Sequence, residues 1–423
     1  MTASPTHRAI EAVWRIESAK IIASVARMVR DVGLAEELAQ DALVIALEQW
    51  PDKGVPDNPG AWLMTTAKHR ALDRLRHQQM SQQKHEELGH EMDARQELIV
   101  PDFTDSLDDD IGDDLLRLIF TACHPLLSSD ARIALTLRLL GGLTTDEIAR
   151  AFLVPEPTIA QRIVRAKRTL SEAKVPFEVP RKEELASRLD SVLGVLYLVF
   201  NEGYSATAGD DWMRPSLCDE ALRLGRVLAE LMPAEPEVHG LVALMEIQAS
   251  RTHARTGPEG EPILLLDQNR ARWDHMLIRR GLVALERAER LVATQGHGPY
   301  ALQAAIAACH ARAKTAEETD WARIAALYDA LSQTRPSPIV ELNRAVAVAM
   351  AYGPEAGLEL VDAIVAQSQL AGYHLLPAVR GDLLAKLGRP SEAAQEFERA
   401  AGLTRNAREQ ELLRRRAAAC AKS

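Results

Sequence analysis

Aromatic residues make up only 4% of this 423-residue chain, and cysteine occurs four times, at Cys123, Cys218, Cys309 and Cys420, with no Cys-x-x-Cys pair. Cysteines scattered in this way exclude a disulfide framework and a thiolate zinc site. Long apolar runs are missing as well. Nothing approaches the roughly 20 residues of a membrane span, and the first residues hold no apolar signal-peptide core, so a cytoplasmic protein without a membrane partner is expected. Strand-like alternation is almost absent. So are a phosphate-cradling glycine loop, a nucleophile elbow and metal-ligand histidine spacing, which leaves His124, His239, His253, His275, His297, His310 and His374 without the context an enzyme needs and implies no cofactor or metal. An excess of positive charge, usual in a DNA binder, is also lacking, since the net charge is -10.

What is present points to helices. Hydrophobic content is 47%, with Ala and Leu dominant, enough for an all-α globular chain of two or three domains with an ample core. The most informative stretch is 143–170, LTTDEIARAFLVPEPTIAQRIVRAKRTL. Thr144 and Thr145 suit the N-cap of a short helix ending near Phe152, with Asp146 and Glu147 in its first turn, where acids favour the helix dipole. Val154-Pro155-Glu156-Pro157 breaks that helix, and Pro157 suits the first turn of a second helix running to Leu170, roughly 22 Å at 1.5 Å per residue. Ile148, Ala149, Ile159, Ile163 and Ala166 form the apolar seam, which leaves Thr158, Gln161, Arg162, Arg165, Lys167 and Arg168 for base edges and phosphates. A Lys/Arg-rich helical face alone often means only solubility. Caps, a short turn, an apolar seam and a one-signed face together make a helix-turn-helix.

A second segment narrows the class. Residues 33–50 predict an amphipathic helix with Leu38, Ala42, Ile45 and Ala46 inward and Glu36, Glu37, Gln40, Asp41 and Glu48 outward. The stretch 52–60, rich in proline and glycine, reads as a loop. From Ala61 a helix carries Trp62, Leu63, Thr66, Ala67 and Leu72 at core spacing and Lys68, His69, Arg70, Arg74 and Arg76 on its polar face. This order of acidic helix, Pro/Asn loop, Trp-Leu pair and cationic helix resembles region 2 of bacterial sigma factors, and the helix-turn-helix resembles their region 4. With two such segments and a short linker, the likeness is to the extracytoplasmic-function (ECF) group, over roughly residues 8–174.

The resemblance implies that the 33–50 helix docks on core RNA polymerase through Leu38, Asp41, Ile45 and Glu48, the two acids meeting basic groups there. It further implies that Asn58, Trp62, Lys68, His69, Arg70, Arg74 and Arg76 take part in opening the -10 element of promoter DNA, and that the 156–170 helix reads the -35 element. Many members carry Asn where this chain has His69, so their base preference at -10 does not transfer. The physical chemistry is compatible, because trapping an unstacked base on an aromatic ring is worth about 1–3 kcal/mol and phosphate neutralisation tolerates loose geometry. Trp62 also fits an apolar core position.

The expected domains are residues 8–80, an acidic linker 81–112, the helix-turn-helix domain 113–174 and a helical extension 185–423. Twelve acids against two bases lie between Ser81 and Asp114, a run that reads as a linker or as a mimic of nucleic acid. In the extension, Leu189, Val192, Leu193, Leu196 and Val199 share a helical face, and Leu222, Leu224, Val227, Leu228 and Leu231 belong to another helix. Further helices are expected at 237–251, 270–293, 299–314 and 320–332. Gly381, Leu384, Gly388, Ala393, Phe397 and Ala400 have the spacing of a tetratricopeptide (TPR) repeat, with Ala356, Leu360 and Ala363 as its upstream echo. Stacked helix pairs of this kind expose a groove suited to a peptide or protein partner.

Residues 201–228 read as an irregular loop whose dense polar set, Asn201, Glu202, Tyr204, Asp210, Asp211 and Arg214, is a regulatory-loop candidate or a plain joint between hairpins. Its acids are placed to meet Arg162 or Arg165 and compete with DNA. The whole arrangement resembles the ECF subgroup with a long TPR-containing extension that takes the place of a separate anti-sigma protein. A repressor with a sensing domain is the alternative class, and it has no use for the 33–76 segment.

Overall fold

The computed structural model describes residues 5–87, 111–152, 154–205, 208, 209, 213–258, 260–292, 297–367 and 370–421. Among these there are 18 α-helices, and the only paired strands are Ala208–Gly209 (β1) and Arg405–Asn406 (β2), two residues each and parallel. The chain divides into two compact units, Met1–Val195 and Leu196–Ser423.

In the first unit, α1 (Pro5–Val29), α2 (Val32–Lys53) and α3 (Pro59–Glu87) pack together around Ile21, Ile22, Val25, Leu38, Ala42, Trp50, Leu63 and Ala67, all buried. Asp31 starts α2 by accepting the Leu34 amide at 2.9 Å, and Asn58 starts α3 by accepting the Ala61 amide at 3.1 Å. Between α2 and α3 the chain turns at Gly54, whose φ of 84° favours glycine.

The second half of this unit holds α4 (Ile111–Ala122), α5 (Ser129–Leu139), α6 (Thr145–Phe152) and α7 (Glu156–Glu172), with α4 against α1 and α7 against α5 and α6. A capping box opens α6. The Glu147 amide donates to Thr144 Oγ1 at 3.1 Å, and Glu147 Oε2 accepts the Thr144 amide at 2.8 Å. The predicted seam of Ile148, Ala149, Ile159, Ile163 and Ala166 is buried throughout, each large side chain contributing about 1.5–3 kcal/mol.

The division between units falls inside α8 (Lys182–Tyr204), the helix that also holds residue 185, the expected start of the extension. The predicted face Leu189, Val192, Leu193, Leu196 and Val199 is buried.

The second unit continues with α9 (Pro215–Leu231), α10 (Pro236–Ala249), α11 (His275–Leu291), α12 (Pro299–Arg312), α13 (Trp321–Thr334), α14 (Pro338–Tyr352), α15 (Pro354–Ala366), α16 (Leu375–Lys386), α17 (Pro390–Leu403) and α18 (Ala407–Cys420). Proline stands first in six of these helices, at the one position where its missing N–H costs nothing. Consecutive helices pair, and the residues singled out at 381–400 face one another across α16 and α17. A side chain on Gly381 would come within 3.0 Å of the Phe397 ring, while Leu384, Ala393, Phe397 and Ala400 are fully buried.

Its upstream echo is displaced by one residue from the expected Ala356, Leu360 and Ala363. Gly357, Val361 and Ile364 face the core, and Ala363 is exposed. The cause is steric, since a Cβ on Gly357 would stand 2.4 Å from the Ala349 methyl. A second correction concerns 201–228. The chain remains helical through Tyr204 and again from Pro215, so helix covers both ends of the stretch expected to be a loop.

Candidate nucleic-acid interface

Helix α7 presents an outer face made by Gln161, Arg165 and Arg168, all exposed, with Thr158 half-buried at its start. The i, i+4, i+7 spacing puts the three on one side of the rod. Arg168 lies along the surface with Glu172 at 2.6 Å, an exposed pair that yields readily to a phosphate. In the middle of the face stands Val164, 63% exposed. In the sequence alone, an apolar residue at that spacing looks like core. On a reading helix, a bare methyl pair is the complement of a thymine methyl group.

Two other cations assigned to this face point elsewhere. Arg162 is paired with Asp130 at 2.9 Å, and Lys167 is turned inward onto Glu36 of α2. Glu36 itself, expected on the outer face of α2, is 3% exposed and also receives Arg138 Nε at 2.6 Å. Hydropathy spacing could not reveal this, because a glutamate enters a core only where cations distant in sequence come to meet it.

On α2, Leu38 is buried and Ile45 half-buried, whereas Asp41 and Glu48 are exposed as expected. On α3, His69, Arg70, Arg74 and Arg76 are exposed and form a cationic strip. Lys68 is not part of that strip. It is half-buried beside Arg27 and Asp114, and burial together with the Arg27 charge holds its ammonium below the usual lysine range while Asp114 pulls the other way. Trp62 meets Trp50 edge to face at 5.4 Å and is partly exposed, so it serves the core and still offers one edge outward. Asn58 is exposed while capping α3.

The polar set of the extension divides. Glu202 is paired with Arg214, and the Arg255 guanidinium lies 3.4 Å over the Tyr204 ring while donating to the Tyr204 carbonyl. Asn201 is half-buried near the end of α8. These residues form a structural joint between α8 and α9. Asp210 and Asp211 lie outside the described residues.

No cluster of three or more His, Cys, Asp or Glu that could hold a metal occurs among the described residues. His239 is bonded to the Pro233 carbonyl, His374 Nε2 lies 3.2 Å from Glu409 Oε2, and His310 is packed edge-on against Trp321. Among the described residues, no helix is long and apolar enough to cross a membrane.

Comparison with known proteins agrees with this geometry. The Sigma-70 region 2 family model matches residues 17–80 and the Sigma-70 region 4 model residues 117–170, while a family of unknown function, DUF6596, matches 188–289. An uncharacterized protein of Rhizobium meliloti is 44% identical over 390 residues, 92% of this chain and 90% of that protein. The ECF RNA polymerase sigma factor SigK of Mycobacterium ulcerans is 32% identical over 155 residues, 36% of this chain and 78% of the relative. The probable ECF RNA polymerase sigma factor SigI of Mycobacterium tuberculosis is 26% identical over 203 residues, 45% of this chain and 68% of the relative. No solved structure matches. With region 2 on α1–α3, region 4 on α4–α7 and the helices of the second unit following them, the chain belongs to the ECF RNA polymerase sigma factors and is a transcription initiation factor with a long helical C-terminal extension.

Proposed function

We propose that this sigma factor reads the -35 element with α7, opens the -10 element with α3 and its preceding loop, docks on core polymerase through α2, and is regulated by its own C-terminal unit rather than by catalysis of any kind. The observation that carries this reading is the outer face of α7, where Gln161, Val164, Arg165 and Arg168 stand exposed on a helix whose other side is sealed by Ile159, Ile163 and Ala166. Arg165 donates to a base edge, Val164 contacts a thymine methyl, and Arg168 neutralises a phosphate. On α2, Asp41 and Glu48 meet cations of the polymerase.

Support for a regulatory extension comes from the second unit itself. A cavity of about 560 Å³ lies between Leu264–Leu266, α14, α16 and α18, with Leu264, Leu266 and Leu375 each at least 40% exposed at its walls. Apolar surface gathered in this way suits a peptide or protein partner, and such a partner alters transcription only if it binds one state of the factor better than another.

The test is run-off transcription and promoter binding by the full chain with core polymerase. Arg165→Ala should weaken promoter binding by about 1–3 kcal/mol and relax sequence preference, whereas Arg168→Ala should weaken binding evenly across sequences. Replacing thymine by uracil in the -35 element should weaken the wild type at one position and leave Val164→Ala indifferent. Reversing the charges of Asp41 and Glu48 should abolish association with core polymerase while changing stability by under about 0.5 kcal/mol. Unchanged DNA binding in both arginine variants would remove α7 from the reading role.

A further inference from the structure

The cavity of the second unit changes character along its length. Leu375, Val379, Asp382 and Lys386 of α16 stand at i, i+4, i+7 and i+11, so all four share one face of that helix, and all four line the cavity. The face is apolar over its first turns and charged over its last. Leu265 and Leu266, Val346 and Met350 of α14, and Leu412 of α18 complete the apolar part of the wall.

At the charged end Asp382 is paired with Lys386 at 2.9 Å and with Arg416 of α18. Two cations therefore meet one carboxylate, and their side chains keep 45% and 29% exposure. Lys386 has N–H donors to spare after this pairing, and Arg416, whose guanidinium lies 4.3 Å over the Phe397 ring, has more. The opposite end is matched. Glu409 accepts a hydrogen bond from Thr404 Oγ1 at 2.7 Å and lies 3.2 Å from His374 Nε2. Asp267, the remaining acid of the wall, is exposed to water.

An unspent positive charge at the end of an apolar trough selects its ligand. The volume of about 560 Å³ falls within the roughly 300–1,000 Å³ of small-molecule sites. A protein partner would rest on the exposed leucines and leave this interior unfilled. From Leu375 to Lys386 the helix rises about 16 Å, the length of an extended dodecanoate. We infer that the cavity binds an amphipathic organic anion, a long-chain carboxylate, with its chain along α16 and its head on Lys386 and Arg416. Each methylene taken out of water strengthens binding about fourfold. Asp382 repels a second carboxylate, but the two cations beside it outweigh that charge. Only the effect of such a ligand on transcription rests on the proposed regulatory role of the second unit.

Calorimetric titration of the full chain with dodecanoate, decanoate and dodecyltrimethylammonium, each below its micelle concentration, tests the assignment. Dodecanoate should saturate at one molecule per chain and bind at least tenfold more tightly than dodecyltrimethylammonium. Decanoate, two methylenes shorter, should bind about tenfold more weakly than dodecanoate. Lys386→Met should weaken dodecanoate at least fivefold, and Arg416→Gln reports on the same end if the first variant melts early. Val379→Trp, which fills the trough, should abolish binding.

Absence of saturable binding, equal affinity for the two head groups, or full affinity in folded Val379→Trp overturns the assignment. Failure of the regulatory reading is separately visible, because dodecanoate would then bind as described while run-off transcription by the full chain with core polymerase stays the same with and without it.

Discussion

Two seams in this chain are built from opposite materials. The one where α2 meets α5 and α7 is bridged by the buried Glu36 with Arg138 and Lys167, whereas the one between α14 and α18 is filled by Leu342, Ala345, Val361, Leu384, Phe397 and Ala400 around closely approaching helices. Apolar contacts lose their stabilisation outright when parted, but ionised groups regain hydration in return. The difference makes the first seam sensitive to a single carboxylate and the second to the loss of packed volume. Buried charge also occurs in the second unit, where Glu246 is held by Arg226 at 2.9 Å and Arg280 at 3.4 Å. There it ties three successive helices at a contact where a Cβ on Gly281 would meet Ile247 at 2.6 Å, so parting the charges would part a packed core as well.

The largest effect should follow from breaking the apolar seam. Phe397→Ala removes a ring that is 1% exposed and packed under the Arg416 guanidinium at 4.3 Å, and should cost the second unit about 3–5 kcal/mol, measured by chemical denaturation.

Acid should sharpen the same contrast by about 3 kcal/mol. Burial, aided by Arg251 and Arg270, pushes His310 down to about 4 from its ordinary 6.5, so the neutral ring stabilises the folded unit fully above pH 6.5. That contribution is lost as the pH falls from 6.5 toward 4, because the unfolded chain takes up the proton first. Melting curves at pH 7.5 and 4.5 should differ less in His310→Phe than in the wild type.

The smallest of these three effects on stability should come from Glu36→Ala. Lys167 and Arg138 retain 20% and 23% side-chain exposure and can swing into water, which limits the cost to about 1–2 kcal/mol.

Much of this molecule was legible in the chain. The caps at Thr144 and Glu147, the breaker at Val154–Pro157 and the seam Ile148 to Ala166 are local features, and local chemistry is what spacing reports. The close contact of Gly381 with Phe397 was legible for the same reason. The upstream repeat slipped by one residue because Gly357 and Ala356 look alike until the Ala349 methyl across the helix pair selects the smaller. The inward turn of Glu36, Lys167 and Lys68 was hidden, since each depends on a partner from a distant helix. Val164 was hidden by the opposite error, an apolar side chain with no core to enter. The polarity of Asn201, Glu202 and Tyr204 masks the continuation of α8 and suggests a loop in its place.

The central claim is that α7 is the promoter-reading helix of this sigma factor. Competition binding of the full chain with core polymerase to a promoter duplex and to one scrambled at the -35 element tests it most directly, with the wild type compared to Arg165→Ala. The wild type should discriminate between the duplexes at least tenfold, and the variant should lose about 1–3 kcal/mol of that discrimination. Equal discrimination by the two proteins would contradict the account.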